Sequence, residues 1–149
     1  EHRLMYVLPT LKEDLHLSGT PQVSVRMSAN KARANLSVYL VSLPWEEGRR
    51  TVITDNLITR GWADFRNHKD LHKEKDVKPG EFVNVSFDLM PDDQIIRAGQ
   101  QIGLMIFASD KEFTLWPQPG TQVTVDLSGT SISLPVVGGR EALERALFE

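Results

Sequence analysis

Along most of this chain apolar and polar side chains alternate one by one. That is the signature of a β-strand with one buried face, because successive side chains leave opposite sides of the pleat. Val23, Val25, Met27 and Ala29 share one face of a segment whose other face is Gln22, Ser24, Arg26 and Ser28. Val83, Val85, Phe87 and Leu89 oppose Phe82, Asn84, Ser86 and Asp88, while Val123, Val125 and Leu127 oppose Gln122, Thr124 and Asp126. These patterns predict half-solvated antiparallel strands. Residues 36–43 and 102–107 are apolar on both faces and are read as central strands.

Turn chemistry separates the runs: Ser18-Gly19-Thr20-Pro21, Pro44, Lys78-Pro79-Gly80, Met90-Pro91-Asp92-Asp93, Pro117-Gln118-Pro119-Gly120 and Ser128-Gly129. Strands about 8 to 12 residues apart, with no helices between them, indicate a sandwich or barrel rather than βαβ units. Residues 123–127 and 131–136 read as a closing hairpin through Ser128-Gly129-Thr130. After Gly138-Gly139, Ala142, Leu143, Ala146 and Leu147 recur at helical spacing, predicting a short amphipathic helix over 141–148. The division is therefore a sandwich over 1–137 and a helical tail over 138–149. Residues 60–77 begin as a strand and continue as a long charged loop, which marks them as a contact surface.

Composition narrows the function classes. With 149 residues, one domain can bury a continuous core without disulfides or metal. A net charge of -3, with both signs interspersed, offers no basic stripe for phosphates, so nucleic acid is not expected as a partner. The chain has no cysteine, which excludes disulfides, thiolate zinc sites and a cysteine nucleophile and favours the cytoplasm. Neither a membrane-spanning run nor a signal peptide is present, so no membrane partner is expected. Glu1 stands where an initiator Met would, so the chain is read as a fragment that lacks the acting part.

No catalytic constellation emerges. The Gly-x-Ser-x-Gly elbow of α/β-hydrolases is missing; its nearest counterpart, Gly129-Thr130-Ser131-Ile132-Ser133, lacks the second glycine and lies in the expected hairpin. Glycine-rich nucleotide loops are missing too, and no cofactor is expected. His68 and His72 stand four apart near Asp64 and Asp70, but their surroundings read as loop, so they are taken as exposed polar residues rather than metal ligands. Asp88, Asp92 and Asp93 lack the spacing of a calcium loop. Trp45, Trp62 and Trp116 fall at expected turn edges and have three readings: packing, an interface, or a platform for stacking sugars.

An ordered series of segments carries a resemblance. It comprises Asp14-Leu15-His16-Leu17-Ser18-Gly19-Thr20-Pro21-Gln22-Val23, Leu36-Ser37-Val38-Tyr39-Leu40-Val41, Ile58-Thr59-Arg60-Gly61-Trp62-Ala63-Asp64, Lys78-Pro79-Gly80-Glu81-Phe82, and Ala98-Gly99-Gln100-Gln101-Ile102-Gly103-Leu104-Met105-Ile106-Phe107. Over roughly 4–136 the chain resembles the C-terminal β-sandwich of Xaa-Pro dipeptidyl-peptidases and of the related cocaine-esterase and acylase hydrolases. The resemblance implies an all-β jelly-roll sandwich, galactose-binding-domain-like, attached to an α/β-hydrolase domain of the same parent chain. It implies that a Ser-His-Asp triad in that other domain releases X-Pro dipeptides from peptide N-termini, and that no catalytic residue lies here. Homo-oligomerisation of the parent stays open. Trp62, His68 and Trp116 are the candidate interface residues. A freestanding carbohydrate-binding module is the alternative, though fold alone does not establish such a function.

Overall fold

The computed structural model describes residues 3–45 and 56–148. Its elements are β1 (Arg3–Val7), β2 (Leu15–Gly19), β3 (Gln22–Ala29), β4 (Asn35–Leu43), β5 (Leu57–Asp64), a 3-10 turn (Phe65–Asn67), β6 (Val83–Asp88), β7 (Asp92–Ile96), β8 (Gln101–Phe107), β9 (Val123–Ser133) and α1 (Gly139–Phe148). A four-stranded sheet ordered β1-β8-β4-β5 stacks against a three-stranded sheet β6-β3-β9, and β2 pairs with β7 separately. Every pairing is antiparallel. This is the jelly-roll sandwich with a short C-terminal helix that the alternation and the resemblance imply.

The core forms where the alternation places it. Leu36, Val38, Leu40, Ile58, Ile102, Leu104 and Ile106 face inward from the larger sheet; Val23, Val25, Met27 and Val85 face inward from the smaller one. Leu15, Leu17 and Ile96 from the β2-β7 pair join them, as do Phe65 and Val77 from the long loop. The two segments apolar on both faces are β4 and β8, the inner strands of the larger sheet. Helix α1 is held by its apolar stripe, with Ala146 and Leu147 buried in the same core and the Lys12 amide donating to the Ala146 carbonyl at 2.7 Å.

Three local expectations are corrected. Residues 123–136 do not form a hairpin: β9 runs through Ser128-Gly129 and pairs with β3 on both sides of a bulge. There Leu127 to Thr130 stand opposite Val25 alone, so Leu127 turns to solvent instead of sharing the inner face of Val123 and Val125. Arg26 fastens the bulge by donating its Nε to Asp126 at 2.9 Å and its amide to Thr130 Oγ1 at 3.1 Å. Gly129 is required because a Cβ there would lie 2.3 Å from Arg26 Cδ. Asp92 and Asp93, expected in a turn, begin β7 opposite Gly19 and Ser18. Their pairing with β2 supplies the backbone bonds that override turn composition. Trp62, expected at a turn edge, sits within β5 opposite Ser37.

Candidate functional site

The outward faces of the two sheets differ in chemistry. On the smaller sheet the outward positions are Ser24, Arg26, Asn84, Ser86, Asp88, Thr124 and Asp126, a polar solvent face on which Ser86 Oγ donates to Ser24 Oγ at 2.9 Å. On the larger sheet, register places Arg3, Phe107, Ser37 and Trp62 in one outward row and Met5, Met105, Tyr39 and Arg60 in the next. Val7, Gly103 and Val41 follow in the third. This face is apolar and aromatic because β4 and β8 carry large side chains on both sides.

Aromatic and cationic groups interlock across these rows. The Tyr39 ring meets Phe107 edge-on at 5.0 Å between centroids, and Trp62 stacks on Phe113 at 5.4 Å. The Arg60 guanidinium lies 4.0 Å from the Phe113 centroid, 5.3 Å from Trp62 and 5.8 Å from Tyr39, favourable cation–π distances. Beneath them Asp110, only 8% exposed, accepts from Tyr39 Oη at 2.5 Å and from Trp62 Nε1 at 2.9 Å. Burial, and then the hydrogen bond to Asp110, push the Tyr39 phenol up to about 12. At this pKa Tyr39 is a neutral donor at physiological pH rather than an acid or base.

Trp62 lies on this face, and Trp116 lies in the loop whose Phe113 and Leu115 meet it. Trp62 is half-buried in β5, whereas Trp116 is 68% exposed in the 108–121 loop with Lys111 Nζ 4.4 Å from its ring. Leu115, next to Trp116, lines a small recess of about 200 Å³ with Trp62, Asn35 and Thr114. One face of each ring is therefore already engaged, Trp62 by Phe113 and Trp116 by a cation. His68 lies elsewhere: it follows the 3-10 turn with Nδ1 3.2 Å from the Phe65 carbonyl and lines a cleft of about 500 Å³ with Lys69, Lys75, Asp76, Lys78 and Glu81. Trp45 is exposed just beyond β4.

Ser131 and Ser133, in the stretch nearest to a nucleophile motif, lie in β9 opposite Ser24 and Gln22. Among the described residues no group of three or more His, Asp or Glu is placed to hold a metal ion. No helix of the structure is long and apolar enough to cross a membrane. Asp110, Tyr39, Arg60 and Phe113 escaped sequence reasoning. The signal for one of them was present: Tyr39, like Phe107, stands on the second apolar face of a segment whose double-sided hydrophobicity indicates more than a central position. Asp110 left none, since its partners are remote in sequence.

The family model of the X-Pro dipeptidyl-peptidase C-terminal non-catalytic domain matches residues 1–145. A provisionally named Xaa-Pro dipeptidyl-peptidase of Rhodopirellula baltica is 55% identical over 144 residues, covering 97% of this chain and 23% of that protein. The Xaa-Pro dipeptidyl-peptidase of Lactobacillus delbrueckii subsp. lactis is 29% identical over 154 residues, covering 83% of this chain and 19% of that protein. The chain thus spans less than a quarter of the length of these relatives. In fold it is similar to an α-amino acid ester hydrolase, with a TM-score of 0.73 and 19% identity over 91% of this chain and 26% of the other. An aminopeptidase from a marine sediment Thaumarchaeota archaeon gives a TM-score of 0.73 at 16% identity, with the same coverage.

Proposed function

Because this chain belongs to the family of X-Pro dipeptidyl-peptidase C-terminal non-catalytic domains, we propose that it packs on the α/β-hydrolase domain of a larger Xaa-Pro dipeptidyl-peptidase-like serine hydrolase and shapes access to its active site. The parent's Ser-His-Asp triad, carried outside this chain, would release X-Pro dipeptides from peptide N-termini. The cysteine-free composition suits the cytoplasm.

One observation carries the docking part of this reading, the contrast between the two outward faces. A sandwich sheet facing water alternates apolar-in and polar-out, as β6-β3-β9 does. The β1-β8-β4-β5 face instead leaves Met5, Val7 and Phe113 exposed beside buried Val41, Met105 and Ser37. An apolar and aromatic face of this kind, interrupted only by Arg3, Ser37 and Arg60, supports an interaction surface. The engaged faces of Trp62 and Trp116 favour an interface over a sugar platform.

Hydroxyl-radical footprinting of the full-length parent tests the docking: Met5 should label slowly and Leu127, on the opposite sheet, fast. Equal rates after correction for intrinsic reactivity would refute it. Gly-Pro-nitroanilide should be cleaved by the parent and not by this chain alone; turnover by the chain would overturn the non-catalytic assignment.

A further inference from the structure

Resting on that docking reading, we propose that the 108–121 loop is a preformed arm that inserts Leu115 and Trp116 into an apolar recess of the parent's hydrolase domain, with Asp110 as the residue that positions it. Leu115 and Trp116 are 86% and 68% exposed, yet the backbone that carries them is tied down on every side. The Asp110 side chain holds the sheet, through Tyr39 of β4 and Trp62 of β5. Its main-chain carbonyl holds the loop, accepting from the amides of Phe113 at 3.2 Å and Thr114 at 2.8 Å and from Thr114 Oγ1 at 2.9 Å. One buried residue thus joins the face of the sheet to the root of the arm.

Further clasps fix the remainder. Asn35 Nδ2 donates to the Leu115 carbonyl at 2.5 Å, directly beside the tip. At the far end Asn30 Nδ2 donates to the Gly120 carbonyl at 3.0 Å, Lys31 Nζ donates to the Pro119 carbonyl at 2.5 Å, and the Gln122 amide donates to Asn30 Oδ1 at 2.8 Å. Phe113 meets both the Trp62 ring and the Arg60 guanidinium, and these two also touch each other. Pro117 and Pro119 restrict the backbone after Trp116. A loop that only closed a chain connection would gain nothing from holding two large apolar side chains out in water. Held rigid in advance, they lose little further freedom on entering a partner's pocket, and such fixed aromatic anchors dominate interface energetics.

The hydrolase domain of the same parent is the occupant. Leu115 shares its recess with Trp62, so the arm continues the proposed docking face instead of forming a separate patch. Most of the length of the relatives lies outside the region matching this chain, and that polypeptide is tethered to the arm.

The experiment is hydroxyl-radical footprinting of the full-length parent as wild type, Asp110→Asn and Asp110→Ala, with Leu127 as the exposed reference. In the wild type Trp116 should label severalfold more slowly than its exposure in the chain predicts. Asp110→Ala should raise Trp116 labelling severalfold while Met5 stays protected, and Asp110→Asn, which keeps one acceptor oxygen, should fall between. If Asp110→Ala fails to fold, Tyr39→Phe decides, since it removes a donor to Asp110 without touching the loop, and Trp116 labelling equal to wild type overturns the positioning role. Fast labelling of Trp116 in the wild type beside a protected Met5 removes the arm and leaves the docked sheet standing. Fast labelling of both removes the two proposals together.

Discussion

Adding a single methyl group at Gly61 should separate two kinds of glycine in this sandwich. Gly61 lies in β5 opposite Val38, on the inward face, where the chain leaving β6 crosses it. A Cβ there would meet the Asp88 carbonyl oxygen at 2.9 Å, Leu89 Cδ2 at 2.9 Å and Leu89 Cα at 3.1 Å. Two of these are main-chain atoms, held by the Leu89 amide donating to the Pro21 carbonyl and the Met90 amide donating to the Arg60 carbonyl. They cannot yield without disturbing that backbone. Overpacking a tight core costs about 1–3 kcal/mol, and removing glycine's penalty within a strand returns about 0.5–1 kcal/mol. Gly61→Ala should therefore lose about 1 kcal/mol net, and at most about 2.5 kcal/mol. For a chain of this size a loss of about 1 kcal/mol lowers Tm by roughly 2–4 °C. Gly103 is the control: its added Cβ would meet Met5 Sδ at 3.1 Å and Val41 Cγ2 at 3.2 Å, both ends of side chains on the outward face. Urea and thermal unfolding followed by far-UV circular dichroism should rank Gly61→Ala clearly below Gly103→Ala. A Gly61→Ala variant as stable as wild type, or less perturbed than Gly103→Ala, would refute the close-approach argument.

Leu147→Ala, at a position 8% exposed in the shared core, should cost about 2–5 kcal/mol and raise amide exchange throughout α1; unchanged exchange would show that the helix is not held by this side chain. Tyr39 carries a raised pKa, so its contribution is complete below about pH 10, the unfolded value, and is lost as pH rises towards about 12. Tyr39→Phe should flatten the alkaline loss of urea midpoint across that window, and an alkaline limb as steep as wild type would count against it. The Ser128 hydroxyl first, opposed by desolvation, and then the Ser128 amide and Arg26 hold Asp126 below the usual carboxylate range. Its contribution is therefore present above about pH 4 and fades as pH falls through the lower folded value. Asp126→Asn should make the acid limb shallower, checked by urea midpoints from neutral pH downwards.

The alternating pattern was legible wherever a strand has one buried and one wet face, which is why β3, β6 and the first half of β9 follow from it. It was silent on β1, a short edge strand, and misleading at Asp92-Asp93, where pairing with β2 outweighs turn composition. Ser128-Gly129 has the chemistry of a hairpin turn. Only the approach of Arg26 makes it a bulge in one continuous strand, because a side chain at 129 would occupy the space that Arg26 fills.

The candidate site divides in the same way. The apolar double faces of β4 and β8, the three tryptophans and the missing catalytic motifs can all be read along the chain, and with the family resemblance they point to a non-catalytic sandwich with something covering it. Residue order cannot show which sheet carries the apolar outward face. That was decided when β1, β8, β4 and β5 came side by side and aligned Arg3, Phe107, Ser37 and Trp62 in one row. Asp110 marks the limit most clearly, as its partners Tyr39 and Trp62 lie 71 and 48 residues away. Short-range periodicity records which side of a strand is buried, since that depends on the pleat alone. Which distant residues share a hydrogen bond depends on strand order and on how the loops close over the sheet, and both exist only in the folded chain.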